Sequence, residues 1–166
     1  MIENGLIECI KTATPDCITL YVKGQAYLNA KDMLLLFVYV PPEHSPVYCE
    51  TDNSGIEILN SYINDLLTKY PDSNLFLTGD LNSRIKDFND FILNDEVNYV
   101  FGDDIPYPSD DFDMPRNSKD TEYNRFGLSL VELCCTYSIH VFNGQPFQDE
   151  EGNYTCTAKL ITGLVS

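Results

Sequence analysis

Basic residues are scarce in this chain. Ten Lys plus Arg stand against twenty-six Asp plus Glu, a formal net charge of -16, which repels polyanions at long range and argues against a general affinity for nucleic acid. Long apolar runs are lacking too. The longest, Met33 to Val40, falls far short of the roughly 20 residues that a bilayer span needs. "MIENGLIECI" carries acids where a signal peptide carries basic residues. A soluble intracellular chain with no membrane partner is expected, with nucleus and cytoplasm not distinguished.

There is no Cys-x-x-Cys pair among the six cysteines, and the two histidines, His44 and His140, do not stand at zinc-ligand spacing beside them. Reduced, mostly buried thiols are expected, with one of the neighbours Cys134 and Cys135 in the core and the other at its boundary. Asn153-Tyr154-Thr155 matches a glycosylation sequon, which carries little weight without a secretory signal. Internal repeats, low-complexity tracts and interdomain linkers are also missing.

What the chain does have is enough apolar material for a core. At 166 residues and 43% hydrophobic, it fits one domain, residues 1–166. "CITLYVK" (Cys17 to Lys23) alternates as a half-buried strand does, and "MLLLFVYV" (Met33 to Val40) is the run expected of a strand covered on both faces. Pro41 and Pro42 end it, because proline cannot donate to a ladder. Ile56, Leu59, Ile63, Leu66, Leu67 and Tyr70 then recur at helical spacing from Gly55 to Tyr70, with caps available at Asp52 to Ser54 and a stop at Pro71. A strand follows at Asn74 to Thr78. Strand, helix and strand in that order predict a helix laid over a sheet. A second helix is predicted in "NRFGLSLVELCCTYS", with Leu128, Val131, Leu133, Cys134 and Tyr137 near one period. "IHVFN" and "NYTCTA" read as further strands. The fold class is α/β with helices outside a sheet core.

The chemistry-bearing stretch is "NLFLTGDLNSR". An apolar strand stops at Gly79, and Asp80 and Asn82 follow at its carboxyl end. A carboxylate takes a proton from water or helps to hold a divalent cation, while a carboxamide orients either reactant and stays neutral. The same Asp-x-Asn reads equally well as an ordinary turn. A calcium loop is excluded, because Arg84 and Ile85 occupy positions that need an oxygen ligand and a glycine. Tyr39 ends the other apolar strand beside a stiff double proline, placed to hydrogen-bond a phosphoryl oxygen or to sit as a boundary residue with a wet hydroxyl. The acids are densest from Asp95 to Glu122, a segment that reads as a solvated loop, since no ligand spacing repeats.

These stretches bring a family into view. "LLLFVYVPPEHSPVY", "LFLTGDLNSR", "NRFGLSLVELC" followed by "IHVFNGQ", and "GNYTCTA" resemble, in family order, the endonuclease/exonuclease/phosphatase family. They are most similar to the apurinic-type endonuclease domains of non-LTR retrotransposons. The resemblance implies a four-layer α/β sandwich that hydrolyses phosphodiesters of DNA with Mg2+ or Mn2+. It also assigns roles: Tyr39 matches the tyrosine that contacts the scissile phosphate, Asp80 the aspartate that activates water and helps hold the metal, and Asn82 the asparagine that orients the water. Asn124 and Gly127 match a structural motif in which Asn124 caps the helix that Leu128 and Val131 bury. Arg84, and with it Arg116, is a candidate for substrate phosphate contact, although a salt bridge to a neighbouring Asp is the preferred reading.

The departures from the family pattern shape the functional expectation. Counterparts of its metal-binding Asn and Glu, and of its closing Asp and Ser-Asp-His elements, are missing from Met1 to Ser166, and neither histidine replaces the missing one. The sequence therefore reads as an incomplete domain, a fragment with little or no activity alone. Two alternatives stand beside this: a working phosphoesterase that recruits Asp103, Asp104 or Asp113, and a non-enzymatic module that offers exposed sheet edges to a protein partner.

Overall fold

A computed structural model describes residues 5–10, 16–27, 30–50, 54–91, 116–144 and 151–152. Asp103, Asp104, Asp113, Cys156, the sequon and the "NYTCTA" strand lie outside the described residues.

Strands β1 (Ile7–Ile10), β2 (Cys17–Val22), β3 (Met33–Tyr39) and β4 (Asn74–Asp80) form one four-stranded sheet in that order. The β1/β2 and β2/β3 pairs are antiparallel and β3/β4 is parallel. A parallel pair needs a crossover, and helix α1 (Gly55–Lys69) supplies it. Helix α2 (Arg125–Tyr137) lies beside α1. Among the described residues this is an α/β arrangement of a mixed sheet with two helices.

Local chemistry sets both helix starts. Ser54 Oγ accepts from the Glu57 N–H and the Glu57 carboxylate accepts from the Ser54 N–H, a reciprocal capping box. Helix α1 ends at Tyr70, whose N–H reaches Leu66 O, just before Pro71. Asn124 caps α2 through the Gly127 N–H, and Ser138 stops it in the left-handed region at φ 52°.

The core lies on one side of the sheet. Leu34, Leu36 and Val38 of β3, with Cys17 of β2, meet Ile56, Leu59, Ile63 and Leu66 of α1 and Phe126, Leu130, Leu133 and Cys134 of α2. Thr19 is fully buried among them, and its hydroxyl is satisfied by Tyr62 Oη at 2.8 Å and lies 3.6 Å from Cys17 Sγ.

Three expectations need correction. Among the described residues strand β3 is not fully buried on both faces: Leu34 and Leu36 are fully buried, whereas Phe37 is 46% exposed and Tyr39 48%. The same face continues through Ile18 and Phe76, both exposed, with the Phe142 ring 6.1 Å from Phe76. The "IHVFN" segment is no strand. The Val141 N–H goes to the Asp90 carboxylate rather than to a ladder, while Ile139 and Val141 still pack on the core. In α2 the buried stripe runs through Phe126, Leu130, Leu133 and Cys134, and Leu128 points to solvent.

The five described cysteines divide rather than being mostly buried. Cys17 and Cys134 are buried, Cys9 and Cys49 exposed, and Cys135 lies between. Burial pushes the Cys134 thiol up to about 12, with the Asp90 charge adding to it, and burial raises Cys17 as well. Because the thiolate is the nucleophile, iodoacetamide at neutral pH is expected to label Cys9 and Cys49 of the native protein. Cys17 and Cys134 should react only after unfolding. Mass spectrometry of the labelled peptides checks this, and rapid native labelling of Cys134 would contradict the packing of α2.

Candidate active site

The end of β4 is shaped by Gly79, at φ 134°. A Cβ there would stand 1.9 Å from Val38 O, so only glycine lets the two strands run this close. One residue later the ladder closes with Tyr39 opposite Asp80, and the Val40 N–H donates to Asp80 O at 2.8 Å. The two residues singled out in the sequence are therefore ladder partners at the carboxyl ends of parallel neighbouring strands. Both are exposed.

Asn82 is fixed from two sides. Its N–H donates to Asp80 Oδ1 at 3.1 Å, an Asx turn, and its Nδ2 donates to Val40 O at 2.9 Å. Its φ of 46° is a conformation that asparagine tolerates better than most residues. The carboxamide thus stitches the loop after β4 to the end of β3, and its oxygen remains for a reactant.

A second asparagine holds the loop from behind. Asn124 Oδ1 accepts from the Gly127 N–H at 2.8 Å and from the Arg84 N–H at 3.0 Å, while Nδ2 donates to Asn82 O at 2.9 Å. The helix cap and the loop anchor are one side chain. Gly127 completes the joint, since a Cβ there would fall 1.8 Å from Arg84 O. Sequence reasoning found the cap but missed the docking. The available signal was a poor helix former three residues after a good N-cap.

Arg84 forks onto Asp120, with Nε at 2.9 Å and an Nη at 2.6 Å, and its other Nη meets Glu122. These partners raise the guanidinium's pKa, and the Arg84 hydrogen bond in turn holds the Asp120 carboxyl below the usual range. Any phosphate contact by Arg84 has to compete with that fork. Arg116 is not at the surface. It is 4% exposed and donates to Asn143 O at 2.9 Å and Lys86 O at 2.7 Å.

Beside Arg116 lies a buried polar cluster that sequence reasoning did not anticipate. Asp90 is 2% exposed, one carboxylate oxygen takes the Val141 N–H, and His140 Nδ1 lies 3.9 Å from that oxygen. Among the described residues the other Asp90 oxygen and Arg116 Nε have no hydrogen-bond partner. No local spacing announces this cluster, because its members come from three separate segments.

Divalent magnesium wants about six oxygen ligands in octahedral array. Among the described residues no group of three His, Cys, Asp or Glu side chains converges, so these side chains alone do not fit a cation at Asp80. The side chains themselves offer a carboxylate to accept a proton, a positioned carboxamide and a phenol that can donate. Comparison of the chain with family models, with curated proteins and with solved structures finds no match.

Proposed function

We propose that the chain carries part of a phosphodiester-hydrolysing site of the retroelement endonuclease type, with little or no activity from these 166 residues alone. In this reading Asp80 accepts a proton from the attacking water, Asn82 orients that water and the Tyr39 hydroxyl donates to a phosphoryl oxygen. The observation that carries it is the pairing of Tyr39 with Asp80 at two adjacent strand ends, with Asn82 tied across them. The finer fold, a four-layer sandwich, belongs to the same proposal. It fits a sheet whose second face exposes Ile18, Phe37 and Phe76 among the described residues.

The proposed cofactor is Mg2+ or Mn2+, supported only by the family resemblance, and the proposed substrate is DNA. The net charge of -16 opposes the approach of DNA, which favours slow turnover. The test is nicking of supercoiled plasmid with Mg2+ present. Trace nicking is expected, and Asp80→Ala should lower it by about 10²-fold or more. Equal rates for the two proteins would remove Asp80 from the chemistry.

One observation favours a second reading, an interaction module. Ile18, Phe37 and Phe76 place exposed apolar groups on one sheet face, and such a patch commonly marks a protein contact. Light scattering that shows a monomer at every concentration would count against it.

A further inference from the structure

On the helix side of the sheet, a cavity of 240 Å3 opens beside the end of β3. Its floor is Val38 and Val40, its walls are Ile58 and Tyr62 of α1, and Tyr48 covers it from the Pro46–Glu50 turn. An apolar cavity of about 150 Å3 is already enough to take benzene. The space here suits one ring with a short substituent.

Two of the three tyrosine hydroxyls in the lining are already committed. The Tyr48 hydroxyl donates to Pro41 O at 2.9 Å, and the Tyr62 hydroxyl is paired with Thr19 at 2.8 Å. The interior therefore recognises shape and apolar surface rather than hydrogen-bond pattern. Among the described residues that line the cavity, Asp16 alone is charged. Its carboxylate lies near enough to Tyr48 to add to the burial that raises that phenol's pKa. A carboxylate and tyrosine rings both favour a cation, through charge and through the ring faces. The chain's net charge of -16 draws cations in and keeps anions out.

We propose that this cavity is a binding site for a small ring-bearing amine, the ring among Tyr48, Ile58 and Tyr62 and the ammonium at Asp16. The proposal goes beyond the phosphodiesterase reading. It shares Tyr39 of the lining with that reading but none of Asp80, Asn82 or Arg84, so the Asp80→Ala nicking assay and the Asp16→Asn titration report on different residues.

Three probes of matched shape test it: phenethylamine, ethylbenzene and 3-phenylpropionate, each titrated into the 15N-labelled full chain and followed by amide shifts. Phenethylamine should bind about threefold more tightly than ethylbenzene, the size of effect an exposed ion pair gives, and 3-phenylpropionate should bind weakest. Asp16→Asn, at an exposed position, should abolish the difference between the first two and leave ethylbenzene unchanged. Ile58→Trp fills the space and should end binding of both, with circular dichroism confirming the fold. The idea is overturned if no probe shifts the cavity amides at millimolar concentration. It is likewise overturned if 3-phenylpropionate matches phenethylamine, or if Asp16→Asn leaves the preference intact.

Discussion

Arg116→Met is expected to cost about 3–5 kcal/mol of folding stability, measured by urea denaturation. The side chain is 4% exposed and its two donated hydrogen bonds end on backbone carbonyls of different segments, Lys86 O and Asn143 O. Methionine fills much of the same volume, so the loss reports the charge and its bonds rather than a cavity. Each carbonyl would lose a charged donor, worth about 1.5–3 kcal/mol. The buried Asp90 carboxylate, with one oxygen already lacking a hydrogen-bond partner, would lose its nearby cation. A domain holds only about 5–15 kcal/mol in all, so the variant should unfold at a much lower urea midpoint. Arg84→Met is the control: that guanidinium is solvent-facing and screened, and its removal should move the midpoint far less. Equal midpoints for Arg116→Met and the unaltered protein would show that the Asp90 and Arg116 cluster does not hold these segments together.

That contrast also marks where the sequence stops being informative. The β3–α1–β4 unit was legible because each part has a local cause: an apolar run closed by prolines, cap residues at Asp52 to Ser54, a helical stripe and a stop at Pro71. The partly exposed face of β3 was not. In Met33 to Tyr39 both faces are apolar, so composition alone does not tell a covered face from an exposed one, and only tertiary packing separates Leu36 from Phe37. Ile139 to Asn143 keeps the alternation of a strand because Ile139 and Val141 face the core. Its backbone bonds instead with a side chain, and periodicity does not register that difference. At the candidate site the residue types were readable from "TGDLN", but the pairing of Tyr39 with Asp80 depends on register, which is set by contacts 41 positions apart in the chain. The buried trio of Asp90, Arg116 and His140 joins segments with no shared pattern.

The orientation of α2 is the most exposed of these points to experiment, and Phe126→Ala tests it. Phe126 is 2% exposed, lies in the core cluster and meets Tyr48 edge-on at a centroid distance of 5.9 Å. Truncation removes a large apolar group from a packed site and breaks an aromatic pair, so a loss of about 3–5 kcal/mol is expected in thermal or urea unfolding. Leu128 is two residues on and 41% exposed. Leu128→Ala should cost at most about 0.5 kcal/mol, as surface substitutions do. The sequence alone allows either residue to face the sheet, because apolar side chains occupy both flanks of "FGLSLVELCC". The Asn124 cap decides between them by fixing Gly127 against Arg84 O and turning Phe126 inward. A larger loss at 128 than at 126 would mean that α2 presents its other flank to the core, and the docking of the Asp80 to Arg84 loop on its first turn would fall with it.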